Sequence, residues 1–440
     1  MVSEAEATPD LPAKPAEKQH ASFFRQSGWL MFANVASGAL MYGVHFFSKV
    51  IPETEYAIFV TLLALTMCIP IMPLQMVFAQ QSAAALATGQ QGQLSGMFRR
   101  AWLGVTLLWG LGAVVMWFAQ GHLVASWDLS NSVPLWITLL VILVSAWLPM
   151  FLGLLQGKQD FFTFGWTMIA NGIGRVGSVA IIVMILSGYA GIVAGGGFAA
   201  GIMTGAFIGL ALATALAIWQ TRDIWSGPSE RFDAGALLKQ VVPLLVGFGS
   251  CQFLMAADTM FVKAYLPENS QCYGAAGTLS RALVWAVGPL TAVMFPRIVA
   301  SAARSEKSNL FGLTLACTAA LAIVGVIFLW WLGPWVVRFV SKPSYVAVTT
   351  QILPWYAGAM VPLCLANVLA SNLLGKGQFA VVIPMVLLAI AYGVTLTFVH
   401  SSFVQVLQLL GAFNLALLAI CALFTFRKST ASASAAEGAR

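Results

Sequence analysis

Residues 221–240 read TRDIWSGPSERFDAGALLKQ and concentrate charge, Gly and Pro in a chain that is otherwise almost continuously apolar. A spanning helix needs about 20 mostly apolar residues. Such runs lie before this stretch at roughly 27–48, 56–80, 101–119, 133–155, 162–187 and 191–219. Six more follow it at roughly 241–264, 275–299, 310–333, 350–374, 380–399 and 402–426. The stretch is therefore read as the linker between two lobes of six helices each. The expected organisation is a disordered tail over 1–24, a first lobe over 25–219, a linker over 220–240, a second lobe over 241–428 and a tail over 429–440.

Composition sets the class. Of 440 residues, 60% are hydrophobic and 8% charged, and mean hydropathy is +0.87; ordinary soluble domains carry about 25% charged residues. A soluble globule and a disordered chain are excluded. So is an outer-membrane barrel, whose strands alternate apolar and polar residues. Five of the six cysteines, Cys68, Cys251, Cys317, Cys364 and Cys421, lie inside apolar runs and Cys272 stands in a loop, so no disulfide framework or zinc spacing emerges. The N-terminal stretch mixes both charge signs and lacks the apolar core of a cleavable signal. The expected fold is an all-α polytopic membrane protein of twelve transmembrane helices.

Basic residues orient such a chain, because Lys and Arg collect in cytoplasmic loops. With both termini inside, the inner set is Lys14, Lys18, Arg25, Arg99, Arg100, Lys158, Arg222, Arg231, Lys239, Arg297, Arg304, Lys307, Lys376, Arg427, Lys428 and Arg440, or 16 of 22. Lys49, Lys263, Arg338 and Lys342 face out, and Arg175 and Arg281 fall within spans. This asymmetry accounts for the net charge of +7 without a nucleic-acid partner.

The two halves echo one another. Phe47-Ser48-Lys49-Val50-Ile51-Pro52-Glu53, followed by Tyr56, recurs as Phe261-Val262-Lys263-Ala264-Tyr265-Leu266-Pro267-Glu268, followed by Tyr273, at an offset of 214–217. Leu154-Leu155-Gln156-Gly157-Lys158-Gln159 recurs as Leu373-Leu374-Gly375-Lys376-Gly377-Gln378 at an offset of 219. Six spans per copy is an even number, so both copies enter the membrane the same way. The lobes are then parallel repeats about an axis along the membrane normal, an arrangement typical of transporters that bind substrate between lobes.

Few residues inside the spans can do chemistry. Arg175 lies about 13 residues, or roughly 20 Å, into the fifth span. A central arginine costs about 2.5–3.5 kcal/mol on insertion scales, so it faces a partner or a wet cavity. Asn171 and Ser178 share its helix face. Satisfaction by carbonyls of a neighbouring helix is the structural alternative. Asp258 is the only acid inside any span; it can bind a proton, bind Na⁺ or neutralise an arginine. Arg281 enters the eighth span at a similar depth, so an Asp258–Arg281 bridge is the plainer reading. Asn34, Ser37, Met41, His45 and Lys49 form a stripe along the first span. That stripe either lines the same cavity or, at Lys49, snorkels to the interface.

Other patterns read as packing. Gly197, Gly201, Gly205 and Gly209 form an i+4 ladder that admits a close helix neighbour. Pro70, Pro73, Pro149, Pro289, Pro296, Pro354, Pro362 and Pro384 are expected to break or kink their helices. No GxSxG, Walker, HExxH or paired-carboxylate motif occurs, so neither enzyme chemistry nor a cofactor or metal is expected.

In three places the chain resembles the polysaccharide-transport branch of the multidrug, oligosaccharidyl-lipid and polysaccharide flippase superfamily. These are Asp258 with Tyr273, Leu279 and Phe295-Pro296-Arg297; Leu154-Leu155-Gln156-Gly157 with Phe161 and the arginine-bearing fifth span; and Asn372-Leu373-Leu374-Gly375-Lys376-Gly377. The resemblance covers residues 25–428. It implies a flippase of the bacterial inner membrane that moves an undecaprenyl-pyrophosphate-linked oligosaccharide to the outer leaflet for O-antigen, capsule or exopolysaccharide assembly. On that implication Arg175, Arg281, Asn171, Asn34 and His45 meet the head group within the cavity. Asp258 then serves a coupling H⁺ or Na⁺ or forms a charge pair, and glycan polymerase and glycosyltransferases act alongside. Drug exporters of the superfamily share the layout but would favour acids in the cavity. Lipid II flippases often carry two further helices, not found here. A membrane glycosyltransferase or polymerase needs a larger extramembrane loop than the roughly 20-residue linker.

Overall fold

The computed structural model describes residues 16–43, 58–59, 62, 66, 71–126, 129, 131–188, 197–230, 234–266, 268, 270–303, 310–340, 346–399 and 401–437. These form twelve long helices and, among the described residues, no strand. The first six are α1 (Ala16–Gly43), α2 (Ile71–Thr88), α3 (Gln91–Ser126), α4 (Val133–Gly157), α5 (Phe161–Gly188) and α6 (Gly197–Gln220). The second six are α7 (Ala234–Tyr265), α8 (Ser270–Ala303), α9 (Leu310–Val340), α10 (Val346–Gly375), α11 (Val382–Phe398) and α12 (Phe403–Glu437). Ten of them, α3 to α12, are long and apolar enough to cross a membrane. The described parts of α1 and α2 are more polar, carrying Arg25, Gln26, Asn34 and Ser37, and Gln75, Gln80, Gln81 and Ser82. That polarity has a place in the fold, since both helices face the other lobe.

Packing confirms the repeat. In the first half α2 packs on α4, α4 on α6 and α1 on α5; in the second, α8 packs on α10, α10 on α12 and α7 on α11. Across the two lobes, α1 meets α8, and α2 meets both α7 and α8. Helices α3 and α9 stand at the outside with large apolar side chains uncovered, including Phe118 at 83% and Trp331 at 77%. In hydrocarbon such surface carries no penalty, because lipid tails are as apolar as leucine.

Several boundaries move relative to the sequence expectation. Helix α1 begins at Ala16, inside the stretch expected to be a disordered tail. Its Ala-Glu-Lys-Gln start consists of strong helix formers, and Phe23, fully buried, anchors the extra turns. Helix α12 likewise continues to Glu437. The helices run through Pro149, Pro289, Pro296, Pro354 and Pro362 rather than stopping at them. Pro70 and the first repeat segment, 47–56, lie outside the described residues.

The second repeat segment is described in both copies, and its register is 218, one less than the sequence echo suggests. Helix α4 ends with Lys158 N donating to Leu154 O, Gln159 N to Gln156 O and Asp160 N to Leu155 O. Helix α10 ends with Lys376 N donating to Asn372 O, Gly377 N to Leu374 O and Gln378 N to Leu373 O. The residue that reverses the chain is Gln159 at φ 60° in one copy and Gly377 at φ 69° in the other. Aligning by this left-handed residue pairs Gly157 with Gly375 and Lys158 with Lys376.

The linker is clamped to the first lobe over its first half. A single-turn helix, Arg222–Trp225, leads out of α6. Lys158 Nζ meets Asp223 Oδ2 at 2.8 Å, Ser95 Oγ donates to Gly227 O at 3.0 Å, and Glu230 N donates to Gly92 O at 3.0 Å. The exposed ion pair contributes about 0–1 kcal/mol, so the backbone contacts carry most of the clamp.

At Gly205 and Gly209 the glycine ladder does what its spacing implies, with α5 as the close neighbour. A Cβ on Gly209 would lie 2.5 Å from Asn171 O and 2.6 Å from Arg175 N, and one on Gly205 would lie 2.4 Å from Val179 Cγ2. Gly209→Val is therefore expected to destabilise by about 1–3 kcal/mol, the usual cost of overpacking. Gly177, exposed on α5 with nothing within 4 Å of a Cβ, is the control: Gly177→Val should be neutral or stabilising by about 0.5 kcal/mol or less, because valine is the better helix former. Thermal unfolding of the purified protein measures both.

Candidate functional site: a cavity between the lobes and two buried arginines

The lobes enclose a cavity of about 280 Å³. Among the described residues its polar lining is made of uncharged side chains: Asn34 of α1, Gln75 of α2, Gln252 of α7 and Asn367 of α10, with Thr291 and Ser371. Phe164, Phe248 and Trp285 supply aromatic faces. Asn34 also crosses the interface, its Nδ2 donating to Trp285 O at 2.8 Å.

Helix periodicity places the spanning charges above this cavity, on the side away from the linker. On α5 the lining residues Phe164 and Met168 continue as Asn171 and Arg175, a 4-3-4 spacing that keeps one face. On α7 Cys251 and Met255 continue as Asp258, and on α8 Trp285 continues back to Arg281, by the same rule. Each lobe thus holds one arginine on the helix face that lines the cavity. Their surroundings differ.

Arg281 is held within the second lobe through its Nη2 and Nε. Its Nη2 donates to Asp258 Oδ1 at 2.8 Å, to Thr259 Oγ1 and to Tyr356 OH at 2.6 Å. Its Nε donates to Met255 O at 2.8 Å, and its guanidinium carbon sits 5.5 Å from the Tyr356 ring centroid. Asp258 is fully buried. Its Oδ2 accepts from Tyr273 OH at 2.8 Å and from Tyr356 OH. Both carboxylate oxygens are therefore occupied, which is how a buried ion pair offsets its desolvation cost. The cluster joins α7, α8 and α10, and the Tyr273 ring lies 5.5 Å from that of Phe403 of α12 between centroids, tilted by 43°.

Arg175 has no counterpart to this. It is 7% exposed, and its Nε is buried with no hydrogen-bond partner. No ion pair among the described residues involves it. One turn earlier on the same face, Asn171 Oδ1 is also buried and unpartnered, while Asn171 Nδ2 reaches only Met41 Sδ at 3.9 Å. Ser37 Oγ donates to Met168 O at 2.8 Å and completes a polar seam between α1 and α5. A buried guanidinium Nε and a buried amide oxygen, both without a partner among the described residues, are chemically complementary to an anion and a hydrogen-bond donor.

The residues singled out from sequence thus separate. Asn34 lines the cavity, Asn171 and Arg175 stand above it on one side, and Asp258 and Arg281 pair on the other. His45 and Lys49 lie outside the described residues. Sequence reasoning missed the amides Gln75, Gln252 and Asn367 and the tyrosine hydroxyls around Asp258. The amides carried a usable signal, because a carboxamide inside an apolar span is costly unless bonded.

No protein-family model and no curated protein matches the chain. Solved structures do. A MATE structure in the straight conformation superposes with TM-score 0.75 at 10% identity, covering 93% of this chain and 96% of that one. An outward-facing multidrug resistance MATE family transporter of the MOP superfamily gives TM-score 0.72 at 12% identity, covering 94% and 96%. The Vibrio cholerae MATE transporter VcmN in its bent form gives 0.71 at 13% identity, covering 94% and 98%. At this identity the likeness establishes architecture: twelve helices in two parallel lobes, the fold of the MATE transporters.

Proposed function

We propose that the protein is an alternating-access flippase that carries an undecaprenyl-pyrophosphate-linked oligosaccharide across the bacterial inner membrane. The linker and both termini face the cytoplasm on this reading, in keeping with the distribution of Lys and Arg. The observation that carries it is the pairing of an uncharged, amide-rich, aromatic cavity with a free arginine above it. Carboxamides hydrogen-bond sugar hydroxyls, aromatic faces stack on sugar rings, and the Arg175 guanidinium offers charge-assisted bonds to a diphosphate. The isoprenoid tail stays in lipid. At about 280 Å³ the cavity lies just below the usual range of ligand sites, roughly 300–1,000 Å³, so passage of a glycan requires the lobes to part.

Export of drugs, as in the multidrug MATE structure that this chain is similar to, is the second reading. It meets one obstacle in the site itself. A cationic drug is best held by a free carboxylate; among the described residues no acidic side chain lines the cavity, and Asp258 is occupied by Arg281. For the same reason Asp258 acts here as the partner of Arg281; a coupling H⁺ or Na⁺ would have to displace that arginine first.

The test is mass spectrometry of lipid-linked glycans from a deletion strain, complemented with wild type or Arg175→Met. A complete undecaprenyl-pyrophosphate oligosaccharide should accumulate in the deletion, clear with wild type and persist with the variant. Unchanged glycolipids together with new sensitivity to cationic dyes would replace this reading with drug export.

A further inference from the structure

The ties between the lobes gather at the end that carries the linker, and they are built largely from glutamines. Gln80 Nε2 of α2 donates to Leu374 O of α10 at 3.2 Å. Gln81 Nε2 donates to Gln240 Oε1 of α7 at 3.1 Å. Arg297 of α8 donates to Ser22 Oγ at 3.3 Å and to Gln26 Oε1 of α1. The deepest tie is a chain: Gln75 Nε2 of α2 donates to Gln156 Oε1 of α4 at 2.8 Å, and Gln156 Nε2 donates to Ala292 O of α8 at 2.9 Å. Gln156 is fully buried. The repeat gives this chain a counterpart, because the 218 register pairs Gln156 with Leu374, the acceptor of the Gln80 tie.

Both ends of the chain open on the cavity, since Gln75 and Ala292 are among its lining residues. We infer that Gln75 and Gln156 form a relay that couples occupation of the cavity to release of the lobes at the linker end. A hydroxyl-bearing occupant that captures the Gln75 carboxamide removes the donor from Gln156 Oε1. Gln156 is fully buried in this arrangement, and an unpaired buried acceptor destabilises it. Separation of the lobes hydrates Gln156 and relieves the strain, so the closed state holds when the cavity is empty and yields when it is filled. The relay gives Gln75 and Gln156 a positioning role and requires no charge, in keeping with an uncharged cavity.

The inference rests on alternating access alone and not on the glycan, so its test needs no substrate. Spin labels are attached at positions 88 and 376, exposed sites at the linker end of opposite lobes, through a genetically encoded ketone side chain that leaves the native cysteines in place. Pulsed electron-electron distances are then measured in nanodiscs. Methionine keeps the volume of glutamine and removes its amide. Gln156→Met should raise the population of a longer distance, displaced by about 5 Å or more, roughly five- to tenfold, the worth of one buried hydrogen bond. Gln75→Met should do the same, and the double variant should match Gln156→Met alone, because both act through one chain. Gln80→Met, in a separate tie, should add to either. Unchanged distances in both single variants, or full additivity of Gln75→Met and Gln156→Met in well-folded protein, would overturn the relay and leave the glycan reading untouched.

Discussion

Asp258→Ala is expected to destabilise the protein by about 3–5 kcal/mol, the cost of breaking a buried ion pair by removing one partner. The alanine leaves Arg281 with its charge in the interior of the second lobe and strips two tyrosine hydroxyls of their shared acceptor. Removing both charges has a different result. Replacing a buried pair by apolar residues of similar volume is often neutral or stabilising by about 1–4 kcal/mol, so Asp258→Leu with Arg281→Met should recover most of the loss. Thermal unfolding of wild type, Asp258→Leu, Arg281→Met and the double variant, a double-mutant cycle, gives the coupling directly. A single variant as stable as wild type would show that the cluster does not hold α7, α8 and α10 together.

Arg175→Met is expected to move stability and transport in opposite directions. With no partner to lose, the substitution removes a desolvated charge whose burial costs up to about 2.5–3.5 kcal/mol on insertion scales, so the melting temperature should hold or rise. Turnover of the lipid-linked glycan should fall about ten- to a hundredfold, the worth of one or two charge-assisted hydrogen bonds. A binding residue that destabilises its own empty protein is the signature of a site kept for a ligand. If instead the melting temperature drops and transport persists, Arg175 is a packing residue and the proposed passage loses its cation. The contrast with Arg281 makes the two experiments complementary: one arginine is held by the fold, the other is left open by it.

Much of this architecture follows from the chain alone. Apolar runs of about 20 residues have no place in water and no backbone solution in lipid other than the helix. Their number, and the polar stretch at 221–240, therefore set twelve spans in two halves before any packing is considered. The Gly197–Gly209 ladder and the Asp258–Arg281 pair were also legible, because small residues every fourth position and opposite charges at matched depth each have few physical outcomes. Insertion cost identified Arg175 for the same reason.

What one chain of letters left open was partnership. Arg175 and Arg281 have the same price of insertion, yet only contacts between helices distant in sequence decide that Tyr356 of α10 and Asp258 of α7 close around one while, among the described residues, the Nε of the other stays without a partner. The repeat register was ambiguous by one residue until the left-handed turn at Gln159 and Gly377 showed which atoms correspond. The amides that line the cavity and tie the lobes, Gln75 and Gln156 above all, looked like isolated polar residues in apolar helices. A hydrogen bond spans about 3 Å and is indifferent to sequence separation. Burial cost can be read along one helix, but satisfaction of that cost is a property of several, and it exists only once α2, α4 and α8 meet.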